Sequence, residues 1–284
     1  MMWIVDLAFQ FAQMIVVIAL APLLTGLVRK VKARLTRRRG APLWQPYRDL
    51  YRLARKEAVV AESASWLFRI VPYVVFASTW VAAALVPTFA TGLMFSWSAD
   101  LIAIVALLGV GRFFLALAGM DVGTAFGGLG ASRESMFATL AEPAMLTTVF
   151  SLALIAGSTQ LSTIAENMLN GQVGLRVSLA LALVALIIVA VAENGRIPVD
   201  NPATHLELTM VHEAMVLEYS GRHLAMIELA AALKLTLYLA MIACVFIPIG
   251  MSATPGQIVP DSIGAAAWLA KMTAGGIGLG IAEM

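Results

Sequence analysis

Ionisable side chains inside long apolar stretches are the residues of this sequence that could do chemistry. The candidates for such chemistry are Arg112, Glu142, Glu193, Glu228 and Lys234. A charge in a lipid-like medium is costly, so such a group faces the protein interior or water. These residue types therefore favour proton transfer or ion pairing.

Acidic residues are scarce in this chain, and they concentrate between its middle and its last third. The set comprises Asp121, Glu134, Glu142, Glu193, Asp200, Glu207, Glu213, Glu218 and Glu228. Clustered carboxylates raise one another's pKa values, and burial raises them further, so such groups can exchange protons near neutral pH. The sequence therefore predicts a proton relay. Its members are Glu142, Glu193, Asp200, Glu207, Glu213, Glu218, Glu228 and Lys234.

The alternative to a relay is a set of structural ion pairs, such as Arg112 with Glu142 or with Asp121. The residues assigned to such pairs are Arg112, Asp121, Arg133, Glu134 and Arg196. For a single isolated pair, a structural role and a part in the relay would be equally good explanations. The gathering of so many acids in an acid-poor chain favours the relay.

Lys234 lies deepest in its apolar stretch, at roughly 16 Å along the predicted helix and so near the bilayer midplane. Its ammonium group needs a carboxylate partner or a wet cavity. Glu228 lies about 240° around the same helix, and Glu142 is expected at too shallow a depth. The predicted partner therefore comes from another helix or, in preference, from a neighbouring subunit. In the second case Lys234 is the residue from which the proton relay continues into that subunit.

The composition requires a membrane as the solvent for these elements. Hydrophobic residues make up 61% of the 284 residues and charged residues 13%, whereas soluble domains carry about 45–50% and about 25%. This balance excludes a free-standing soluble enzyme, a disordered tail and a disulfide-stapled domain. The one cysteine, Cys244, cannot form an internal disulfide or hold an iron–sulfur cluster by itself.

Seven apolar stretches predict an all-α, polytopic membrane bundle in one domain covering residues 1–284. The predicted spans are 4–28, 67–93, 100–120, 134–156, 175–193, 224–249 and 263–283. The first stretch is long and lacks a small-residue cleavage site, so we expect it to be a span and not a removed signal peptide.

The lysine and arginine distribution predicts the orientation, because these residues accumulate in cytoplasmic loops. Residues 29–56 hold eleven of the nineteen. We therefore place the basic loop 29–66, the glycine-rich loop 121–133 and the acidic loop 194–223 in the cytoplasm. The N-terminus then lies outside and the C-terminus inside, in a cytoplasmic (inner) membrane.

The basic loop contains a predicted amphipathic helix from Gln45, with Tyr47, Leu50, Tyr51 and Ala54 on one face. Either this helix lies on anionic lipid, or the loop docks a cytosolic partner. The arginines assigned to docking are Arg37, Arg38, Arg39, Arg48 and Arg52. A nucleic-acid role is not expected, since the positive-inside rule already accounts for the charge.

The other two inner loops exclude common cofactor sites. The glycine-rich loop lacks a G-K-[ST] ending and follows a membrane helix, so we predict close backbone packing and not nucleotide binding. In the acidic loop, His212-Glu213 is followed by Val216 and does not complete H-E-x-x-H. With His205 as the other loop histidine, no metal site is predicted.

Two motifs resemble those of the membrane subunit 1 family of respiratory complex I. The first comprises Arg39-Gly40-Ala41-Pro42, Gln45, Asp49 and Lys56-Glu57. The second comprises Ala192-Glu193, Arg196, Pro198, Asp200, Glu207-Leu208 and Glu218-Tyr219-Ser220-Gly221. The G-A-S-R-E stretch with Glu142 downstream also matches. The spelling P-V-D-N-P-A-T-H-L-E-L-T-M-V-H-E-A-M is similar to group 4 membrane-bound NiFe hydrogenases, such as formate hydrogenlyase and hydrogenase-4.

This resemblance implies a heel subunit that joins a cytosolic redox arm to an ion-pumping membrane arm, without catalysing electron transfer alone. It implies a NiFe centre and iron–sulfur clusters on partner subunits and no cofactor in this chain. The implied partners are hydrogenase large and small subunits, a ferredoxin-like subunit, antiporter-like membrane subunits and membrane lipid. The family usually has eight spans, one more than the seven predicted for this sequence. The alternatives are a quinone-site subunit of a complex I-like NADH dehydrogenase and a purely structural anchor.

Overall fold

Helices form nearly all of the regular structure. A computed structural model describes residues 2–92, 95, 98–169, 177–197, 199–200, 211–252 and 258–283, with side chains from 7 to 252 and from 262 onward in these ranges. The described residues contain two isolated bridges and ten α-helices. These are α1 (Met2–Leu35), α2 (Gln45–Ala54), α3 (Trp66–Leu85), α4 (Leu101–Asp121), α5 (Ala125–Ala156), α6 (Leu161–Leu169), α7 (Val177–Glu193), α8 (His212–Val216), α9 (Gly221–Phe246) and α10 (Ile258–Ala282).

Six of these helices are long and apolar enough to cross a membrane. They are α1, α3, α4, α5, α9 and α10. The shorter apolar helix α7, of 17 residues, corresponds to the remaining predicted span. Each predicted span therefore coincides with a helix, and the predicted all-α, polytopic membrane bundle is confirmed.

Short polar residues set where several of these helices begin. The Ser65 hydroxyl accepts a hydrogen bond from the Leu67 amide, and the Asp100 carboxylate accepts one from the Ile102 amide. Thr124 does the same for the amide of Gly127 at the start of α5. Each cap satisfies an amide that has no partner within the helix.

The glycine-rich segment differs from the prediction of a loop over 121–133. Helix α5 begins at Ala125, so most of this segment is helical. A Cβ at Gly127 would clash with the Gly119 carbonyl oxygen of α4. Glycine here serves the close backbone packing that the sequence predicts, and this packing outweighs the low helix propensity of glycine.

Two other segments differ from the sequence-based expectation. Helix α6 lies between the predicted spans 134–156 and 175–193, where no helix was predicted. Helix α3 ends at Leu85, and Ala90 in the chain that follows pairs with Ser252. The predicted amphipathic helix in the basic loop is confirmed as α2, which begins at Gln45.

Helix α9 forms the centre of the bundle. It packs against α1, α3, α7 and α10, and its side chains Leu233, Leu237 and Met241 are fully buried. A polar side chain on α9 is therefore surrounded by protein on several sides, and this determines the environment of Lys234.

Candidate functional site

A cavity of about 520 Å³ lies at one end of the bundle. The ends of α1 and α7, the middle of α3 and α4, the first part of α5 and the first half of α9 enclose it, together with α8. Its charged lining residues are Arg29, Lys32, Arg112, Glu134, Glu193, Arg196, Asp200, Glu213, Glu228, Lys234 and Glu283. Cavities of this volume commonly hold small ligands, but they are usually lined mainly by apolar groups. The charged lining here suits water and protons.

Arg112 is the centre of an ion cluster at this cavity. It lies on α4 with its side chain 7% exposed, and its Nε atom is 3.3 Å from Glu134 Oε1. Its Nη1 atom donates a hydrogen bond to Glu142 Oε1 at 3.5 Å. Its Nη2 atom contacts Glu193 Oε1. The predicted pairing of Arg112 with Glu142 is thus present, and two further carboxylates share the same guanidinium.

Glu193 joins Arg112 to Lys234. The Glu193 side chain is 3% exposed, and its Oε2 atom is 2.9 Å from Lys234 Nζ. Helix α7 ends at Glu193 because Gly195 follows in a left-handed conformation, with φ of 54°. The Asn194 side-chain amide also donates a hydrogen bond to the Ala190 carbonyl. This turn holds the glutamate at the base of the cavity.

The expectation that the partner of Lys234 comes from a neighbouring subunit is wrong. Its partner is Glu193, on a neighbouring helix of the same chain. A helical side chain points back toward the start of its helix. The long stem of Lys234 therefore carries the ammonium toward the end of the bundle where α7 terminates.

A second ion cluster lies at the cavity wall. Glu283 is buried, and its carboxylate is 3.1 Å from Arg196 Nη1 and 3.5 Å from Lys32 Nζ. Arg196 was predicted to form an ion pair, whereas Glu283 and Lys32 were not predicted to take part. An acid just after an apolar helix carries no local signal of burial, because its partners lie far away in sequence.

The other predicted relay residues divide into three groups. Asp200 is buried at the cavity and accepts a hydrogen bond from the Val211 amide at 3.2 Å. Glu213 and Glu228 line the cavity with exposed side chains. Glu218 is exposed and does not line it. Glu207, like His205, lies outside the described residues.

Two predicted ion-pair residues have other environments. The Asp121 carboxylate accepts a hydrogen bond from the Ser65 amide at 2.8 Å and does not pair with Arg112. Arg133 has a buried Nη1 atom that finds no hydrogen-bond partner within the described part of the chain. These two residues are therefore not part of the cluster around Arg112.

The Glu218-Tyr219-Ser220-Gly221 motif attaches the acidic loop to the basic loop. The Tyr219 ring stacks on Phe68 with centroids 3.9 Å apart, and its hydroxyl donates to the Phe68 carbonyl. The Ser220 hydroxyl bonds to both the amide and the carbonyl of Val59. Burial raises the pKa of Tyr219, which keeps the phenol protonated and able to donate.

Gly221 completes this attachment. Its φ is 54°, and a Cβ at this position would clash with the Glu57 carbonyl. Only glycine combines that backbone conformation with such a close approach. The motif therefore fixes the start of α9, and through it the position of Lys234.

The arginines assigned to docking lie on the surface. Arg37, Arg38, Arg39, Arg48 and Arg52 are all exposed. Helix α2 rests on α1, where the Tyr47 hydroxyl donates to the Ala19 carbonyl, and burial raises the pKa of that phenol. On the predicted apolar face, Tyr47 and Leu50 are partly buried, whereas Tyr51 and Ala54 are exposed. The Tyr51 ring packs under Arg55.

Among the described residues, no group of three or more His, Cys, Asp or Glu side chains is placed to hold a metal ion. The arrangement around Arg112 instead combines two cations with three carboxylates. With all groups ionised its formal charge is −1, and one added proton makes it neutral. The cluster therefore contains one carboxylate more than its two cations neutralise.

The sequence of this chain is similar to those of several known proteins. A family model described as NADH dehydrogenase matches residues 8–275. Hydrogenase-4 component C of Escherichia coli (strain K12) is 37% identical over 242 residues, covering 85% of this chain and 76% of that protein. Formate hydrogenlyase subunit 4 of the same organism is 35% identical over 246 residues, covering 87% and 79%.

Two further proteins are similar to this chain at lower sequence identity. NADH-quinone oxidoreductase subunit 8 of Rhodothermus marinus is 30% identical over 207 residues, covering 71% of this chain and 60% of that protein. A chain of the membrane-bound sulfane sulfur reductase, an archaeal respiratory membrane complex, superposes with a TM-score of 0.82. That match covers 98% of this chain and 89% of the other at 22% identity, and it shows a common fold.

Proposed function

The chain belongs to the NADH dehydrogenase subunit 1 family and is a multi-pass membrane protein, and on that premise we propose that it is the heel subunit of a hydrogenase-type respiratory complex. In this role it anchors a cytosolic redox arm. It also couples the electron transfer of that arm to proton movement through the buried acids. The named relatives that are most similar to it are components of hydrogenase-4 and formate hydrogenlyase.

The observation that carries the coupling proposal is the ion cluster in which Arg112 and Lys234 meet three carboxylates, those of Glu134, Glu142 and Glu193. Its excess carboxylate allows it to hold one proton and to release it again. Removing one charge from such a buried cluster costs free energy, because it leaves another charge without its partner. The proton occupancy of each carboxylate therefore depends on the charges beside it. A redox event in the docked arm can therefore change proton affinity at Glu193.

The position of the cluster supports a lateral path for protons. On one side it lines the cavity, where Asp200, Glu213 and Glu228 provide further carboxylates. On the other side Glu142, whose side chain is 46% exposed, reaches the outer surface of α5. We propose that protons enter by the cavity, pass the cluster and leave laterally toward antiporter-like membrane subunits.

Electron transfer is assigned to the partners. The lone cysteine is buried in α9, and a single thiol cannot ligate an iron–sulfur cluster. We assign the NiFe centre and the iron–sulfur clusters to hydrogenase large and small subunits and a ferredoxin-like subunit. These subunits dock on the basic loop, on the cytoplasmic side of the inner membrane.

Purification through an affinity tag on this chain tests the proposal. From native membranes we expect a nickel-containing large subunit and iron–sulfur subunits to co-purify. Inverted vesicles should show proton movement that depends on hydrogen oxidation or evolution. A Lys234→Met variant should retain dye-linked hydrogenase activity and lose proton movement. Recovery of this chain without a nickel subunit would contradict the proposal.

The cavity volume favours one second candidate, a quinone-site subunit of a complex I-like dehydrogenase. A cavity of about 520 Å³ falls within the range of about 300–1,000 Å³ that accommodates small ligands. A photoreactive quinone analogue separates the two candidates. Labelling of cavity residues, competed by native quinone, with a flavin-containing NADH module in the purified complex, would support this second candidate.

A further inference from the structure

Lys271 is a cation in the middle of α10, a membrane-spanning helix at the periphery of the bundle. The span of α10 runs from Ser262 to Ala282, so Lys271 lies roughly 14–16 Å from either end along the helix axis. A lysine stem extends about 6 Å and cannot bring its ammonium to either membrane surface from this depth. Lys271 is also only partly buried by the rest of this chain.

No carboxylate pairs with Lys271 among the side chains that the structure describes. Along the same helix, Asp261 is roughly 15 Å away. Glu283, at the other end, is already paired with Lys32 and Arg196. The titratable group that faces Lys271 from α9 is the buried thiol of Cys244. An ammonium at mid-membrane depth without a counter-charge is costly, and none of the described carboxylates supplies that charge.

The surface beside Lys271 suits a helix better than lipid. Ala266, Ala270, Ala274 and Gly278 are all exposed and recur at every fourth position, on one side of α10. A Cβ added to Gly278 would meet nothing within 4 Å. In membranes, small residues at this spacing allow two helix backbones to approach closely.

From this charge complementarity we propose that the outward face of α10 around Lys271 docks a transmembrane helix of a neighbouring membrane subunit that carries a carboxylate at mid-membrane depth. The carboxylate pairs with Lys271, and the partner helix packs on the face formed by Ala266, Ala270, Ala274 and Gly278. This inference rests on the proposed membership of a multi-subunit complex. It assigns that complex a second lateral contact, distinct from the one near Glu142.

Photo-crosslinking in native membranes tests the docking surface. A benzoylphenylalanine is introduced at Ala270 or Ala274 of the full chain, with Leu154 on α5 as the control because its side chain is 86% exposed. We expect several-fold more adduct with one membrane subunit at the two α10 positions than at Leu154. The crosslinked peptide should belong to a transmembrane helix containing Asp or Glu.

Adducts with lipid alone, or with a second copy of this chain, would overturn the docking proposal. If cytosolic redox subunits still co-purify in that case, the proposed function stands and this inference alone fails.

Charge exchange tests the ion pair independently of folding defects. Lys271→Glu should lower the co-purified amount of the crosslinked subunit several-fold, whereas Lys271→Arg should keep it. Changing the mapped carboxylate to lysine in the Lys271→Glu background should restore assembly. If the double variant recovers nothing while each chain is present in the membrane, the proposed ion pair is wrong.

Discussion

Glu193 holds two cations that would otherwise lie unpaired or poorly paired in the centre of the bundle. Arg112 retains Glu134 and Glu142 as further partners, but Glu193 is the carboxylate that contacts Lys234. Loss of one partner from a buried ion pair is more destabilising than loss of both. The charge on Glu193 therefore affects both the stability of the fold and the proposed proton path.

Replacing Glu193 by Gln should lower the free energy of unfolding by roughly 3–5 kcal/mol, because Lys234 loses its counter-charge. Redox-linked proton movement in vesicles should be lost. Glu166→Gln is the matched control, since Glu166 is exposed on α6, away from the cavity. Thermal unfolding in detergent and proton uptake are the measurements. Destabilisation of the Glu193→Gln variant with proton uptake retained would favour a purely structural role for this acid.

Tyr219 gives a prediction for alkaline pH. Burial raises its pKa above the ordinary value of 10.0, so the folded state holds the phenolic proton more tightly than the unfolded state. The corresponding stability is complete below about pH 10 and is lost as pH rises toward the raised folded value.

Tyr219→Phe should cost about 1 kcal/mol near neutral pH, because the Phe68 carbonyl loses its donor. The variant should also lose less stability above pH 10 than the unmodified chain. Thermal midpoints measured across alkaline pH test both effects. Parallel curves for the two proteins would show that this phenol does not control the alkaline transition.

At the scale of elements, the crossing of α4 and α5 sets how close Arg112 lies to the acids of α5. Gly119 and Gly127 bring the two backbones into contact. Gly130 extends the same face, where a Cβ would lie 3.0 Å from the Val211 carbonyl oxygen before α8. The spacing of Arg112, Glu134 and Glu142 therefore depends on residues that carry no charge.

Gly127→Ala should destabilise the protein and weaken coupling, because the added methyl group forces α4 and α5 apart. Gly128→Ala is the control on the same helical turn, since a Cβ there meets nothing within 4 Å. The control should be neutral or stabilising by about 0.5–1 kcal/mol, given the poor helix propensity of glycine. Thermal unfolding of both variants provides the comparison, and equal destabilisation would refute the packing argument.

At the scale of the whole molecule, the arginines assigned to docking gather on one surface. The exposed arginines lie on the basic loop and on α2, next to the end of the bundle that contains the cavity. Electrostatic contacts of this kind steer association and weaken as salt screens them. A redox arm docked on these arginines would lie over the cavity.

Reversing Arg37, Arg38 and Arg39 to glutamate should release the cytosolic arm from membranes, and raised salt should release it from the unmodified complex in part. The triple change of the same residues to lysine keeps the charge and should retain most of the arm. Quantifying the large subunit in washed membranes provides the measurement. Retention of the arm by the glutamate variant at raised salt would refute docking through this loop.

Hydropathy and charge along the sequence were sufficient to predict the helical bundle and the amphipathic helix α2. A membrane span depends on the composition of one continuous segment, which can be read directly from the sequence. The recurrence of glycine in the glycine-rich segment is also a local feature, and it correctly predicted close backbone packing. The helical state of this segment was not predictable from propensity, because the contact with Gly119 and with the chain around α8 stabilises it.

The sequence also indicated which ionisable groups were unusual, since Arg112, Glu193 and Lys234 each stand out against apolar neighbours. Which of them meet was decided only by tertiary structure. Glu193 pairs with residues of two other helices, and Glu283 pairs with residues of α1 and of the segment after α7. Such pairs depend on helix order, rotation and depth. These properties arise from packing around α9 and cannot be read from any one segment.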